Sequence, residues 1–575
     1  MSKFKKIMRD IVVFKEPEEK EAFILKETEE ERKQLNDDTK SRDKEHKKKG
    51  LINKIFSSKK ESSNKIEKAD KVSKDIKENL EYIKKKYNYP DNGDLVIKKF
   101  EIVIKDKNLP AFFILFDGMS DSEMINTHVL KPLMLLSNVE VEGDTDDLAK
   151  YIRNHLISHN QVEMSKNMSD IIDEVNFGGG GLFIDGIDSA YACDVKGWMQ
   201  RQVDRPTSEI VIRGPQEAFT EGLRVNTALI RKTLKDENLM VEDFEVGKRS
   251  KTPCSLLYLN DIVNKSLVEE ARRRLEKINI DFILDSGELE QLLEDSTFLP
   301  APQILATERP DRASSLITQG KLVVLMHGSP FALIMPITNS DLLHAPEDAY
   351  VRFPYSNLFR IVRLIAVILS LLLPGIYVAV TNYHHEMIPT DLLIAIEASR
   401  EAVPFPSVVE ILMMEFAFEL IREAGVRIPG PIGPTLGIIG ALILGQAAVA
   451  ANIVSPILII VVAVTGIGSF AVPSFALAFS FRILRFLYII LAALSGFLGI
   501  TLGIFLHGIM LVNAKSFGVP FMAPFGPRTG DGIADQFLRS PIWKQEKRPD
   551  YLNVNKQEKQ PKVSREWAKE DKKKH

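Results

Sequence analysis

The chain has 575 residues, 45% of them hydrophobic and 27% charged, with a formal net charge of −3. That length exceeds a single core and implies several domains, and the near-neutral balance gives no electrostatic reason to expect nucleic acid as a partner. Met1–Asp10 is already charged and Ile11–Phe14 is too short for the apolar core of a secretory signal, so the polar part is expected in the cytosol.

The averages conceal a partition. Residues 1–94 are dense in Lys and Glu and low in complexity, as in Lys47-Lys48-Lys49. So few apolar side chains cannot offset chain entropy, and this extension is expected to be disordered. From Leu95 the pattern alternates between short apolar runs and helical periodicity. Ala111–Phe116 ends at the Asp117-Gly118 turn signal, and Ser122–Leu136 has helical spacing. Gly181–Gly186 and Ala190–Cys193 read as a hairpin.

The same order recurs further on. Leu109–Asp117 aligns with Thr252–Asn260 and the later hairpin with Lys321–Met335, at offsets of 143 and 142 residues. This predicts two similar α/β subdomains in tandem, residues 95–200 and 201–350. Between them, Pro215 suits the first turn of a helix running through Leu234. That helix carries Arg224, Arg231 and Lys232 with Asn226, a polar face that suits a partner or simply water; Arg213, Arg224, Asn226 and Arg231 are the candidates for binding a partner. Cys193 and Cys254 lie in apolar surroundings and are expected to be buried thiols.

Residues 351–515 read as a polytopic all-α transmembrane domain in contact with membrane lipid. Ile361–Val380, Leu436–Ala451, Ile453–Val472 and Phe486–Val512 are apolar enough to cross a bilayer. Arg352, Arg360 and Arg363 precede the first of these, which puts the α/β part in the cytosol. Gly437, Ala441 and Gly445, and then Ser495, Gly499, Gly503 and His507, recur every four residues and mark helix-packing stripes. Pro406–Ala424 is different, because it carries Glu410, Glu415, Glu419 and Glu423, the last three on one helical face. Carboxylates at membrane depth point to function, here as candidate pore-lining groups. The same pattern suits an interfacial helix with a wet acidic face. Residues 516–575 are expected to be a cytosolic tail, largely disordered after Pro541.

Gly178–Gly181 lacks the Lys-Ser or Lys-Thr of a phosphate loop and leads into a strand, so it reads as a flexible connection. No metal-ligand spacing, nucleophile elbow or kinase motif occurs, so no metal, cofactor or catalytic residue is expected.

Leu182–Gly186, Ser208–Phe219, Asn226–Arg231, Asp285–Gly287, Arg309–Asp311, Gly328–Phe331, Arg422–Gly425, Ser516–Pro520 and Ala523–Phe525 together form a specific set. On these residues, from about Leu95 to Pro541, the chain resembles the A subunit of GerA-type spore germinant receptors. The resemblance implies a cytosolic domain of two subdomains and a membrane domain in the spore inner membrane. It also implies a transporter-like B subunit and a lipoprotein C subunit as partners, and a homo-oligomer, a pentamer, acting as a nutrient-gated cation channel. A non-conducting scaffold that organises receptor complexes is the alternative.

Overall fold

A computed structural model describes residues 71–104, 107–135, 145–158, 161–197, 205–426, 440, 443–529 and 538–561, with Phe23 and Leu25. Contacts divide the chain into two compact units, one of residues 1–294, 304–336 and 545–575 and the other of residues 295–303 and 337–544.

The first unit begins earlier than the charge pattern suggests. Helix α1, Ile76–Lys86, starts where the Asp75 side chain accepts from the Lys77 amide. It buries Ile83, and Tyr87 just beyond it is buried too. Folded structure thus reaches into the charged extension, because the apolar side chains of α1 have a sheet to cover. That sheet has strands β1 (Leu95–Ile104), β2 (Lys107–Phe116), β3 (Val162–Ser165), β4 (Gly180–Ile184) and β5 (Ala190–Cys193) in the order β1-β2-β4-β5-β3. All its pairings are antiparallel.

Successive side chains of a strand face opposite ways. Phe113, Leu182 and Tyr191 therefore enter one core with Val129 and Ile152, while Phe112, Ile114 and Phe183 enter another with Ile83 and with Ile171 of α2, Met168–Asn176. Cover on both faces explains the unbroken apolar runs. Gly180 and Gly181 lie inside β4, not in a flexible connection. A Cβ on Gly180 would collide with the Phe113 ring, and one on Gly181 would come within 2.7 Å of Ile171.

The second half of the unit repeats this plan. Strands β6 (Leu239–Val246), β7 (Thr252–Leu259), β8 (Leu305–Thr307), β9 (Leu322–Met326) and β10 (Ala332–Met335) are ordered β6-β7-β9-β10-β8, again antiparallel. The residues aligned by the sequence offsets thus occupy the same places in the two sheets. Helices α3 (Leu223–Thr233), α4 (Lys265–Lys277), α5 (Ser286–Leu293) and α6 (Pro310–Ile317) pack on it.

Helix α3 starts at Leu223 rather than Pro215. The Asn226 side chain accepts from the Thr220 amide and donates to the Thr220 carbonyl, which ends the helix at its N-terminal side. The tail also differs from expectation, since part of it beyond Pro541 is ordered against this unit. Arg548 donates to the Thr318 carbonyl at 2.7 Å, and the Asn555 amide donates to the Ile262 carbonyl at 2.8 Å.

The second unit is helical: α7 (Phe353–Tyr383), α8 (Thr390–Arg400), α9 (Ser407–Val426), α10 (Pro456–Phe470) and α11 (Phe475–Asn513). Residues 443–450 are helical as well. By length and composition α7 and α11 could each cross a membrane, whereas α10 has 15 residues. Helix α11 is two helical arms broken at Ser495 (φ −152°, ψ 24°) and Gly496 (φ 58°, ψ −136°). The arms fold back on one another, which brings Tyr488 Oη within 3.3 Å of His507 Nδ1 across 19 residues.

Both ends of α11 return to the same short segment. Ser480 donates to the Pro300 carbonyl, and Ser516, beyond the second arm, donates to the Gln303 carbonyl at 2.6 Å. The expected single span Phe486–Val512 is therefore a helical reversal. It turns where the far end of α7 meets it, with Tyr383 Oη donating to the Ala493 carbonyl at 2.7 Å.

Candidate functional site

Helix α9 lies antiparallel to α7. At its start Ser407 donates to the Asn382 side chain, one residue before the end of α7, at 2.7 Å. Near its other end Arg422 donates to Ser469 of α10 at 2.6 Å. The neighbouring Gly468 sits against the Ala366 carbonyl of α7, 2.9 Å from where a Cβ would be. Glu415 is consequently about midway along the bundle.

That position decides what the carboxylates do. An ionised group away from water needs a partner of opposite charge. The first arm of α11 supplies two, Arg482 and Arg485, spaced to match Glu419 and Glu415 on α9. Arg485 Nη1 lies 2.5 Å from Glu415 Oε2, and Arg482 Nη1 lies 2.9 Å from Glu419 Oε2. Arg485 Nη2 also reaches Glu419, at 3.5 Å. Arg485 and Glu415 are both fully buried.

Aromatic rings complete the surroundings. The Arg482 guanidinium lies over Phe479 at 3.6 Å, and that of Arg422 lies over Phe470 at 4.7 Å. Glu410, also fully buried, accepts from the Ser455 amide at 3.0 Å and lies 3.4 Å from Arg400. Glu423 is exposed. Sequence spacing grouped the acids but not their bases. The available signal was Arg482 and Arg485, one helical turn apart at the head of an apolar run.

Gly437 and Ala441 lie outside the described residues. Gly445 sits against Ile459 of α10, 3.2 Å from where a Cβ would be. In the second stripe, Ser495 forms the reversal. Gly499 leaves no room for a Cβ against the Leu491 carbonyl, and a Cβ on Gly503 would lie 2.9 Å from the Tyr488 ring. His507 reaches Tyr488 as above, so these residues hold the two arms of α11 together.

The polar face of α3 is mostly internal. Arg231 is buried and makes a two-point ion pair with Asp94, through Nη2 at 2.7 Å and through Nε. It stacks on Phe116 at 3.8 Å and donates to the Leu239 carbonyl. It thereby ties the first sheet to the second and is not available to a partner. Asn226 is buried in the turn before its helix, as described. Arg224 is half-exposed and pairs with Asp243 at 2.7 Å, on the rim of a cleft of about 450 Å³ that Asp117, Asp121 and Lys232 also line. Arg213 is exposed. Burial pushes the Cys193 and Cys254 thiols up to about 12, which makes them inert. Among the described residues no group of His, Cys, Asp and Glu is placed to hold a metal ion.

Residues 81–551 match the family model described as Bacillus/Clostridium GerA spore germination protein. The chain is 39% identical over 488 residues to spore germination protein KA of Bacillus subtilis (strain 168), covering 85% of this chain and 88% of that one. It is 37% identical to spore germination protein B1 of the same organism, covering 83% and 97%. Among solved structures, it is similar to the N-terminal domain of the A subunit of the Bacillus megaterium spore germinant receptor GerK3, with 27% identity and a TM-score of 0.35 over 46% of this chain and 95% of that one. This chain belongs to the GerA family of spore germination proteins.

Proposed function

We propose that the chain is the A subunit of a nutrient-responsive germinant receptor, that its helical unit spans the spore inner membrane, and that copies of it assemble into a nutrient-gated cation channel. A transporter-like B subunit and a lipoprotein C subunit would be its partners. In this reading α7, α9, the helix that includes residues 443–450, α10 and both arms of α11 cross the bilayer, which returns the tail to the side on which α7 begins.

The observation that carries the reading is the charged layer midway along apolar helices: Glu415 and Glu419 facing Arg482 and Arg485. A buried ion pair adds little net stability over an apolar pair, and at membrane depth ionised groups are costly and serve function. In the conformation described, the arginines neutralise the carboxylates. Opening would separate α9 from the first arm of α11 and present Glu415, Glu419 and Glu423 to a cation path. Nutrient sensed by a partner would act by binding the open form more tightly.

The test is nutrient-triggered potassium release from spores that carry Glu415→Gln with Glu419→Gln. Reduced release with altered ion preference is expected, and unchanged release and preference refute the pore role. The full neutralisation of Glu415 by Arg485 also favours a second reading, a non-conducting scaffold. Purified oligomer in liposomes separates the two, because the scaffold passes no ions even in variants that germinate without nutrient.

A further inference from the structure

Arg539 is buried, and its guanidinium donates to three carbonyls in the turn that leads into α7: Asp348 at 2.7 Å, Ala349 at 3.1 Å and Val351 at 2.9 Å. One turn into α7, the Asn357 side chain accepts from the Arg539 amide at 2.5 Å and donates to its carbonyl at 3.2 Å. Charge-assisted bonds on one side and a two-point amide contact on the other clamp residues 538–544 to the head of α7.

What the clamp presents is apolar. Leu538 and Ile542 are 51% and 61% exposed. Trp543, in the short 3-10 helix Ile542–Lys544, packs edge-on against Phe353 with ring centroids 6.4 Å apart. Phe353, Tyr355, Leu358 and Phe359 of α7 are exposed too, and exposed apolar side chains continue along that helix to Ile368. The charge is positive, because residues 347–363 and 538–544 hold five bases and two acids, a net +3. Asp348 is buried and paired with Arg363 at 2.8 Å, and Glu347 is half-buried, whereas Arg352 and Lys544 are exposed.

Length decides what covers this surface. Helix α7 has 31 residues, about 46 Å at 1.5 Å per residue, against about 30 Å of hydrocarbon. The excess sets its first turns in the headgroup layer, where tryptophan, tyrosine and exposed bases are favoured together. A second copy of the same surface would meet it with like charge.

We propose that Leu538–Lys544, clamped to the head of α7, is an interfacial anchor that binds the anionic lipid headgroup layer. Leu538, Ile542 and Trp543 enter the boundary between phosphates and acyl chains, and Arg352 and Lys544 contact the phosphates. The anchor fixes the depth of α7 and holds the chain leaving the helical unit at the membrane surface. It rests on the reading above that α7 crosses the bilayer.

The experiment uses the full chain in vesicles of phosphatidylcholine and phosphatidylglycerol, with Trp198→Phe and Trp567→Phe leaving Trp543 as its one tryptophan. Bromine at the headgroup end of the acyl chains should quench Trp543 about twofold more than bromine at their middle, and acrylamide should quench it little. Bromine carried on phosphatidylglycerol should quench about twofold more than the same fraction on phosphatidylcholine, and Arg352→Gln with Lys544→Gln should abolish that preference. Quenching chiefly by acrylamide places Trp543 in water, and quenching by neither agent places it under protein. Either result overturns the proposal, as do deeper quenching and equal quenching by the two lipids. A chain with Trp543→Phe and Ile368→Trp tests the span alone, since Ile368 lies about 22 Å beyond Phe353 along α7. Mid-chain bromine that quenches this tryptophan while Trp543 is untouched leaves the span standing and the anchor refuted.

Discussion

Replacing Arg231 by Met would leave the buried Asp94 carboxyl without its guanidinium. Breaking a buried pair by removing one partner costs about 3–5 kcal/mol, more than exchanging both. Thermal unfolding of the purified full chain in detergent should show that loss, and a shift too small to measure would mean that water reaches the pair. Glu290 on α5 gives a pH signature, because burial pushes its carboxyl up to about 7 from 4.5. Folding raises this group, so the folded chain holds its proton more tightly than the unfolded chain. Stability therefore falls as pH rises from about 4.5 through 7, and the full penalty is present above that. Glu290→Gln should remove the slope and exceed the parent in stability at pH 8 by roughly 2 kcal/mol. An unchanged pH profile would place the titration elsewhere. At this scale the sequence showed residue types well but exposure poorly. Arg231 and Arg213 look alike in a polar segment, yet one is enclosed by Asn92, Asp94 and Phe116 and the other is in water.

Among the elements, α11 depends most on a single residue. Gly496 has φ 58° and ψ −136°, which a side chain rarely tolerates, and a Cβ there would sit 3.0 Å from the Cβ of Tyr383. Gly496→Ala should cost about 1–3 kcal/mol. It should also loosen the contact between the two arms, measured as faster hydrogen exchange between Tyr488 and His507; unchanged protection would contradict the reversal. Helix α9 gives a second test, because Arg485→Gln removes the ion-pair partner of the buried Glu415. The double variant Glu415→Gln with Arg485→Gln should recover much of the stability lost by the single one, and strict additivity would argue against direct pairing. Local pattern made the helices legible, since apolar runs and acidic spacing survive in any environment. It hid the break at Ser495-Gly496, because Ser and Gly fit equally well in a close helix contact, and only the opposing arm distinguishes the two.

For the whole molecule, the chain order of elements is not the order of packing. Residues 545–561 belong with the α/β unit, and residues 295–303 with the helices. Removing residues 545–575 should destabilise the α/β unit, because Arg548 and Asn555 would no longer bond Thr318 and Ile262. Faster hydrogen exchange at Ile262–Asn264 in the truncated full-membrane protein would show this, and unchanged exchange would make the tail a bystander. By itself the sequence determined that an α/β part precedes an apolar helical part, the tandem order of strands and the family. Each of these depends on composition, period or motif, which neighbours in the chain carry. The tertiary structure decided the pairing of Glu415 and Glu419 with arginines 70 and 63 residues away, the reversal in α11, and which polar residues are enclosed. The physical reason is that charge balance and burial depend on which distant segments meet, and spacing along one segment does not record that.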